Sequence, residues 1–314
     1  MPTVKIIESF LKDSQSLLQK CEETYIPSTA TLISADFESL YTNIDHIKAA
    51  SAITDLMHDK LPLHNNKNQI TPQGFYSLIL IVLMNNFFVF NNRYFRQIKG
   101  VAMGTIVGPS IANLYIYTLE KKWLNIHNPL FFSRYIDDLF IMLFSKDKLQ
   151  ETITSLQNSF DNLKLNIEYG EEVVFLDLKI KINKIINRLD FNLYIKPTNT
   201  FSYLLTNSNH PAHIFNNIPK SLFIRLRRNN SRLFNYFYHA RKLIFNLLDR
   251  DYSFRILNKK ARMISYLKRE DLLKYKNNSK IFGLKDNKTF IFKTNFDNSL
   301  PETHKCIKKA YHRV

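Results

Sequence analysis

The chain has 314 residues, of which 45% are hydrophobic and 25 are Phe. That suffices for a large core and about two domains, and it excludes a disordered tail. Against 27 acidic residues stand 44 Lys and Arg, a surplus of +17 that points to a polyanionic partner. Nucleic acid fits best, with a membrane surface as the plainer alternative.

Apolar periodicity predicts a helix over 5–24, with Ile6, Phe10, Leu11 and Leu17 on one side. Glu8 and Asp13 interrupt any apolar signal-peptide core there. Thr31–Tyr41, TLISADFESLY, reads as a strand entering a turn, and Lys48–Lys60 as a helix. Ser77–Phe90, SLILIVLMNNFFVF, is the most apolar run. Asn85 and Asn86 split it and it is too short to span a bilayer, so a buried helix followed by a strand is expected, and no membrane role. Asn92–Gly104 reads as a strand and then a glycine-bounded loop. Gly108-Pro109-Ser110 starts a helix that runs through Ile111 to Leu124. Leu149–Leu163 is predicted helical; Val173–Asn183 and Arg188–Pro197 are predicted as a strand pair.

From about Ile218 the pattern changes. Basic residues including Lys220, Arg225, Arg227, Arg228, Arg232, Arg241, Lys242, Arg255 and Arg262 alternate with Leu, Ile, Phe and Tyr. This predicts a basic helical domain whose arginines either form a nucleic-acid surface or a merely solvated face. Cys21 and Cys306 lie far apart, so neither a disulfide nor a metal framework is expected. An intracellular location, nucleus or cytoplasm, is the corresponding expectation.

The stretch SRYIDDLFIMLF, Ser133–Phe144, sets Asp137 and Asp138 at the junction of two apolar strands. Alone, such a pair is also what a solvated surface turn looks like. Asp36 ends another apolar strand, Leu32–Ala35. If that strand lies beside the hairpin, three carboxylates converge and raise one another's pKa until a cation relieves the repulsion. With hard oxygens and no nearby His or Cys cluster, Mg²⁺ (or Mn²⁺) is favoured over zinc. Two such ions about 3.5–4 Å apart activate a 3′-hydroxyl and stabilise leaving pyrophosphate.

YIDD, Tyr135–Asp138, resembles the Tyr-x-Asp-Asp signature of reverse transcriptases. DFESLYTNI (Asp36–Ile44) is similar to their first catalytic motif, and Asn91–Glu120 to the motif between the two. VVFLDLKI (Val173–Ile180) resembles the hairpin that grips the primer. Leu40–Ile44, Gly100–Gly104, Phe175–Leu178, Lys196–Thr198 and Ser208–Pro211 match blocks of the Penelope-like retroelement branch in order. The resemblance covers about residues 30–235. Ala-Met-Gly and Lys-Pro-Thr set it apart from telomerase-like and intron-maturase-like polymerases.

The resemblance implies an α/β fold: a right-hand polymerase palm, which is a small antiparallel sheet backed by helices, followed by a mainly helical basic thumb. The expected division is an N-terminal helical segment (1–30), the palm (31–185), a helix-turn-helix-like connection (186–217) and the thumb and tail (218–314). Asp36 and Asp137 would ligate both metals, helped by the Phe37 carbonyl, with Asp138 a weaker or electrostatic ligand. Tyr135 would lie near the primer terminus, and Phe175 and Leu176 in the primer grip. Tyr41 takes the position that excludes a ribose 2′-hydroxyl, with a core aromatic as the plainer reading. Gly100, Met103 and Gly104 would approach the nucleotide; an ordinary glycine turn is the alternative. Arg225, Arg227, Arg228 and Arg232 would contact primer and template. RNA template, DNA primer and deoxynucleoside triphosphates are the implied partners, and RNA-directed DNA synthesis within a retroelement the implied activity.

Four points stand apart from the family pattern. Lys164 is a poor match for a general-acid lysine. Asn113 reads equally as a nucleotide-positioning or a helix-surface residue, and Glu120 as structural. His210 and His213 flank Pro211 with too few partners for zinc, so packing or phosphate contact is expected. Only 35 residues precede Asp36, so the fingers are expected to be missing. A truncated, catalytically silent nucleic-acid-binding remnant is therefore the alternative function.

Overall fold

The computed structural model describes residues 7–22, 24–60, 70–160 and 163–275. The chain divides into two compact units, Met1–Leu189 and Asp190–Val314.

The first unit is built on a four-stranded antiparallel sheet. Its strands are β1 (Thr31–Phe37), β4 (Phe131–Tyr135), β5 (Asp138–Leu143) and β6 (Leu165–Gly170), in the order β4-β5-β1-β6. Period-two alternation decides what each face carries. Ile33, Ala35 and Phe37 of β1 and Leu139, Ile141 and Leu143 of β5 join one core cluster. The helices in that cluster are α2 (Leu40–Asn43), α3 (His46–Lys60), α4 (Pro72–Met84), α5 (Gly108–Ile126) and α6 (Leu149–Ser159). The opposite phase, Leu32 and Ser34 with Phe140 and Met142, faces the other way. Ser34 donates to the Val174 carbonyl at 2.8 Å, and Phe140 packs on Phe175 with ring centroids 5.4 Å apart. Asp36 and Asp138 continue that second phase to the strand ends.

Local chemistry sets the helix starts. Thr71 caps α4 by accepting from the Gly74 N–H at 3.0 Å, with Pro72 behind it. α5 begins with Gly108-Pro109, as its sequence predicts. Helix α1 (Ser14–Glu22) is shorter than the predicted 5–24 span. Residues 7–11 are not helical. Instead Phe10 bridges Arg134 in parallel, and the segment borders the edge of β4. Such cover shields ladder groups that an edge strand would otherwise expose.

A hairpin of β2 (Phe87–Phe90) and β3 (Arg93–Arg96) follows α4. The expected helix and strand are both there, but the helix's burial is a correction: only Ile79 and Leu83 of α4 are buried, and all four residues of β2 are exposed. Val173–Asn183 is also not one strand. It is β7 (Glu172–Phe175) turning at Leu176-Asp177 into β8 (Leu178–Asn183), and β9 (Arg188–Leu193) completes a three-stranded sheet in sequence order. Strand β6 is not among the elements expected from the sequence.

In the second unit, residues 194–211 hold no helix, so the expected helix-turn-helix character of 186–217 is not what the chain forms. Helices α7 (Ala212–Asn229), α8 (Leu233–Leu248), α9 (Phe254–Ser265) and α10 (Arg269–Leu273) follow. Phe223, Tyr236, Leu243, Leu247, Leu257 and Ile264 form a core shared by α7, α8 and α9. Among the described residues, no helix is long and apolar enough to cross a membrane.

Candidate active site

Asp36 and Asp138 are direct cross-strand partners. Asp137 lies in the two-residue turn Ile136-Asp137 that joins β4 to β5, and its carbonyl accepts from the Phe37 N–H at 3.2 Å. One carboxylate oxygen from each of the three aspartates lies within 4.8 Å of the others. Asp36 is exposed and the other two are half-buried. Like charges placed directly across strands destabilise a sheet. Three converging carboxylates with hard oxygens at a solvent-open strand end form a group able to hold a divalent cation. The Phe37 side chain points into the core, edge-on to Phe160, which leaves only its backbone for the site.

The turn is strained. Ile136 has φ +54°, a left-handed conformation that β-branched residues rarely adopt and that costs of order 1–3 kcal/mol. A buried guanidinium holds it. Arg134 is fully buried; its Nη1 donates to the Ile136 carbonyl and to Asn113 Oδ1, both at 2.7 Å. Its Nη2 donates to the Asn113 carbonyl at 3.1 Å, and its Nε to Glu120 Oε1. Glu120 is fully buried too and accepts from the Ser9 hydroxyl at 2.7 Å. Burial pushes the Glu120 carboxyl upward, while Arg134 and Ser9 oppose that shift. Asn113 is therefore no helix-surface residue. Arg134 lies in the stretch SRYIDD but is not among the expected site residues. The sequence signal for it is a lone cation inside an apolar strand, with Glu120 following the mostly apolar run Ile111–Leu119.

Tyr41 is half-buried near the aspartates. Burial first, and then the Asp137 charge, raise its hydroxyl pKa, and Arg134 opposes them. The loop that begins at Gly100 is stitched to the Tyr41 segment. Val101 N–H donates to the Tyr41 carbonyl at 2.6 Å, Gly100 N–H to the Ile44 carbonyl at 2.9 Å, and His46 Nε2 meets the Gly100 carbonyl at 2.6 Å. A Cβ on Gly100 would lie 2.6 Å from Thr42 Cα, at φ +82°. Gly100 is thus needed for close packing on Tyr41-Thr42, the tight-turn alternative to the expected nucleotide approach. Gly104 stands in open space and Met103 is 80% exposed.

Other expected site residues separate. Tyr135 ends β4 half-buried beside the turn. Leu176 lies in a turn at φ +55° and is half-buried. Phe175 is buried against Phe140, so its side chain is not open to a primer. Arg227 is also buried, a second correction, whereas Arg225 and Arg232 are exposed and Arg228 half-buried. Arg232 pairs with Asp190. Lys164 is exposed, and its carbonyl accepts from the Glu38 N–H at 2.9 Å. His210 and His213 are exposed. Among the described residues, the three aspartates are the one group of His, Cys, Asp or Glu arranged to hold a metal.

Comparison with known proteins gives the family. The model for Reverse transcriptase (RNA-dependent DNA polymerase) matches residues 3–170, more than half of the chain. No curated protein matches. Among solved structures, telomerase from Candida albicans, in complex with a TWJ fragment of telomeric RNA, is similar with TM-score 0.50 at 10% identity. That similarity covers 87% of this chain and 52% of the other. Apo telomerase from Candida tropicalis gives TM-score 0.48 at 13% identity, over 86% of this chain and 50% of the other. The chain thus spans about half the length of these telomerase chains. The fold is α/β, a small antiparallel palm sheet backed by helices and followed by a helical thumb. The chain belongs to the reverse transcriptase (RNA-dependent DNA polymerase) family.

Proposed function

We propose that this chain carries the catalytic palm of an RNA-directed DNA polymerase from a Penelope-like retroelement. The observation that carries the proposal is the convergence of Asp36, Asp137 and Asp138 within 4.8 Å, in a chain of the reverse transcriptase family. The retroelement assignment rests on Leu40–Ile44, Gly100–Gly104, Phe175–Leu178, Lys196–Thr198 and Ser208–Pro211 occurring together in order.

In this reading Asp36, Asp137 and Asp138 hold two divalent cations, Mg²⁺ in the cell, with the Phe37 carbonyl as a further oxygen. The ions supply activation of a primer 3′-hydroxyl and neutralise charge on the leaving pyrophosphate. Tyr41 packs where a ribose 2′-hydroxyl would project, and burial, then the Asp137 charge, raise its hydroxyl pKa. Tyr135 and Leu176 contact the primer strand. The exposed basic helices of the second unit contact phosphates of primer and template, with Arg225 and Arg232 among them and Arg228 at their border.

The test is incorporation of one deoxynucleotide at a DNA primer paired to an RNA template. The reading predicts incorporation that requires Mg²⁺ or Mn²⁺ and is lost in Asp137→Asn. Duplex binding with no incorporation under any divalent ion would identify a silent binding remnant instead. Incorporation indifferent to Asp137→Asn would remove the aspartates from catalysis.

A further inference from the structure

We infer that Arg134 is a positioning residue for the aspartate turn, fixed in turn by Glu120, Asn113 and the N-terminal segment at Ser9. The inference rests on the reading that the three carboxylates bind divalent metal.

The hydrogen bonds form a continuous path. Ser9 donates to Glu120, Glu120 accepts from Arg134, and Arg134 donates to the carbonyl of Ile136. Ile136 is the residue immediately before Asp137 and the one with left-handed backbone. The backbone of Arg134 is held as firmly as its side chain. Its N–H donates to the Ser9 carbonyl and its carbonyl accepts from the Leu11 N–H, both at 2.7 Å. Asn113 closes the other side, accepting from Arg134 through both its side-chain and backbone oxygens while its amide donates to the Pro109 carbonyl at 2.8 Å.

Stability alone explains this arrangement poorly. A buried ion pair is often no more stabilising than apolar residues of the same volume, because desolvation offsets the Coulombic gain. What an apolar replacement would not supply is a donor aimed at a strained turn carbonyl. A guanidinium presents donors in a rigid fork and so can grip Glu120, Asn113 and Ile136 in one geometry; an ammonium cannot. The carboxylates of Asp137 and Asp138 hang from the peptide units that follow that carbonyl. Metal sites tolerate misplacement of about 0.5 Å before function suffers, so the clamp acts on the quantity to which the site is most sensitive. It also makes the site depend on residues 9–11, which lie far in sequence from Asp36, Asp137 and Asp138.

The experiment is a Mn²⁺ titration of the full chain, with free Mn²⁺ read from its solution EPR signal. The unaltered chain and Asp137→Asn define the site. Arg134→Lys keeps the charge opposite Glu120 but removes the fork. The double variant Glu120→Gln with Arg134→Met removes both buried charges together, which favours folding. Far-UV circular dichroism and thermal melting establish that each is folded. The expected result is a dissociation constant raised ~10-fold or more in both folded variants, the size usual for lost outer-shell support. Ser9→Ala, at the far end of the path, gives a smaller rise of the same sign and supplies a folded comparison if the core variants do not fold. Parent-like Mn²⁺ affinity in folded Arg134→Lys or in the double variant would overturn the inference and leave the metal reading standing. Were both core variants unfolded, parent-like affinity in Ser9→Ala would overturn it. Absence of Asp137-dependent binding in the unaltered chain would remove the metal reading, and the inference with it.

Discussion

Gly100 and Gly104 sit in the same loop and both have positive φ, yet they do different work. At Gly100 a Cβ meets Thr42 Cα and the Tyr41 carbonyl at 2.6 Å, both backbone atoms that cannot swing aside. At Gly104 nothing lies within 4 Å. Gly104→Ala should therefore cost about 1 kcal/mol, the conformational penalty alone. Gly100→Ala should cost more, about 2–3 kcal/mol once packing strain is added, because the loop must lift from the Tyr41 segment. Urea unfolding of the two variants measures this; equal losses would show that the close approach is not what requires glycine at 100. The direct pairing of Asp36 with Asp138 makes a second prediction. In metal-free buffer Asp36→Asn should stabilise the chain by about 0.2–1 kcal/mol, because a like-charge cross-strand pair is relieved. Adding Mg²⁺ should reverse the order, since a ligand bound only to the folded state stabilises the protein that retains the site. Melting both proteins with and without Mg²⁺ decides it, and a destabilised metal-free variant would contradict the account.

At the scale of elements, His239 on α8 tests how the second unit is held together. It is buried, its Nε2 lies 3.0 Å from Asn192 Oδ1, and burial, then Lys242, lower its pKa below the ordinary histidine value. The folded form thus binds its proton less readily than the unfolded form. Stability is complete above about pH 6.5, the unfolded histidine value, and falls as pH drops through the depressed folded value. Melting temperature should decline between about pH 7 and pH 5 by an increment that is absent in His239→Gln; an identical decline in the variant would place the acid sensitivity elsewhere. What the sequence revealed of the elements follows the same physics. β1 and β5 were legible because apolar residues run up to their aspartates, and α5 because Gly-Pro-Ser announces a start. β6 was not, because in the short run Leu165–Gly170 only Leu165 is buried. The helix forecast over 5–24 failed at its front, where apolar spacing serves an extended segment beside β4. The three aspartates could be named from sequence, since motif and strand-end position coincide. Arg134 and Asn113 could not be placed, because burial of a polar side chain depends on partners 14 and 21 residues away.

For the molecule as a whole, the surplus of +17 is the dominant feature. In the second unit Arg241, Lys242, Arg255, Lys259 and Arg262 are exposed among exposed Phe237, Tyr238, Phe245 and Phe254. Lys242 Nζ lies 4.4 Å from the Tyr238 ring centroid. A surface of this kind neutralises phosphates and releases counterions, so log affinity for duplex should fall linearly with log salt, by about 0.9 for each phosphate engaged. Arg241→Gln should reduce that slope by about 1 without altering sequence preference. A salt series by fluorescence anisotropy gives the slope, and salt-independent binding would deny the surface its role. The central claim, that Asp36, Asp137 and Asp138 together bind divalent metal, has a more direct test. Fe²⁺ substituted into such a site generates hydroxyl radicals with ascorbate and peroxide, which cut the backbone close to the ion. The account predicts cuts near residues 36 and 137–138, suppressed by excess Mg²⁺ and absent in Asp137→Asn. Cuts elsewhere in the chain, or cuts at these positions that persist in Asp137→Asn, would contradict it.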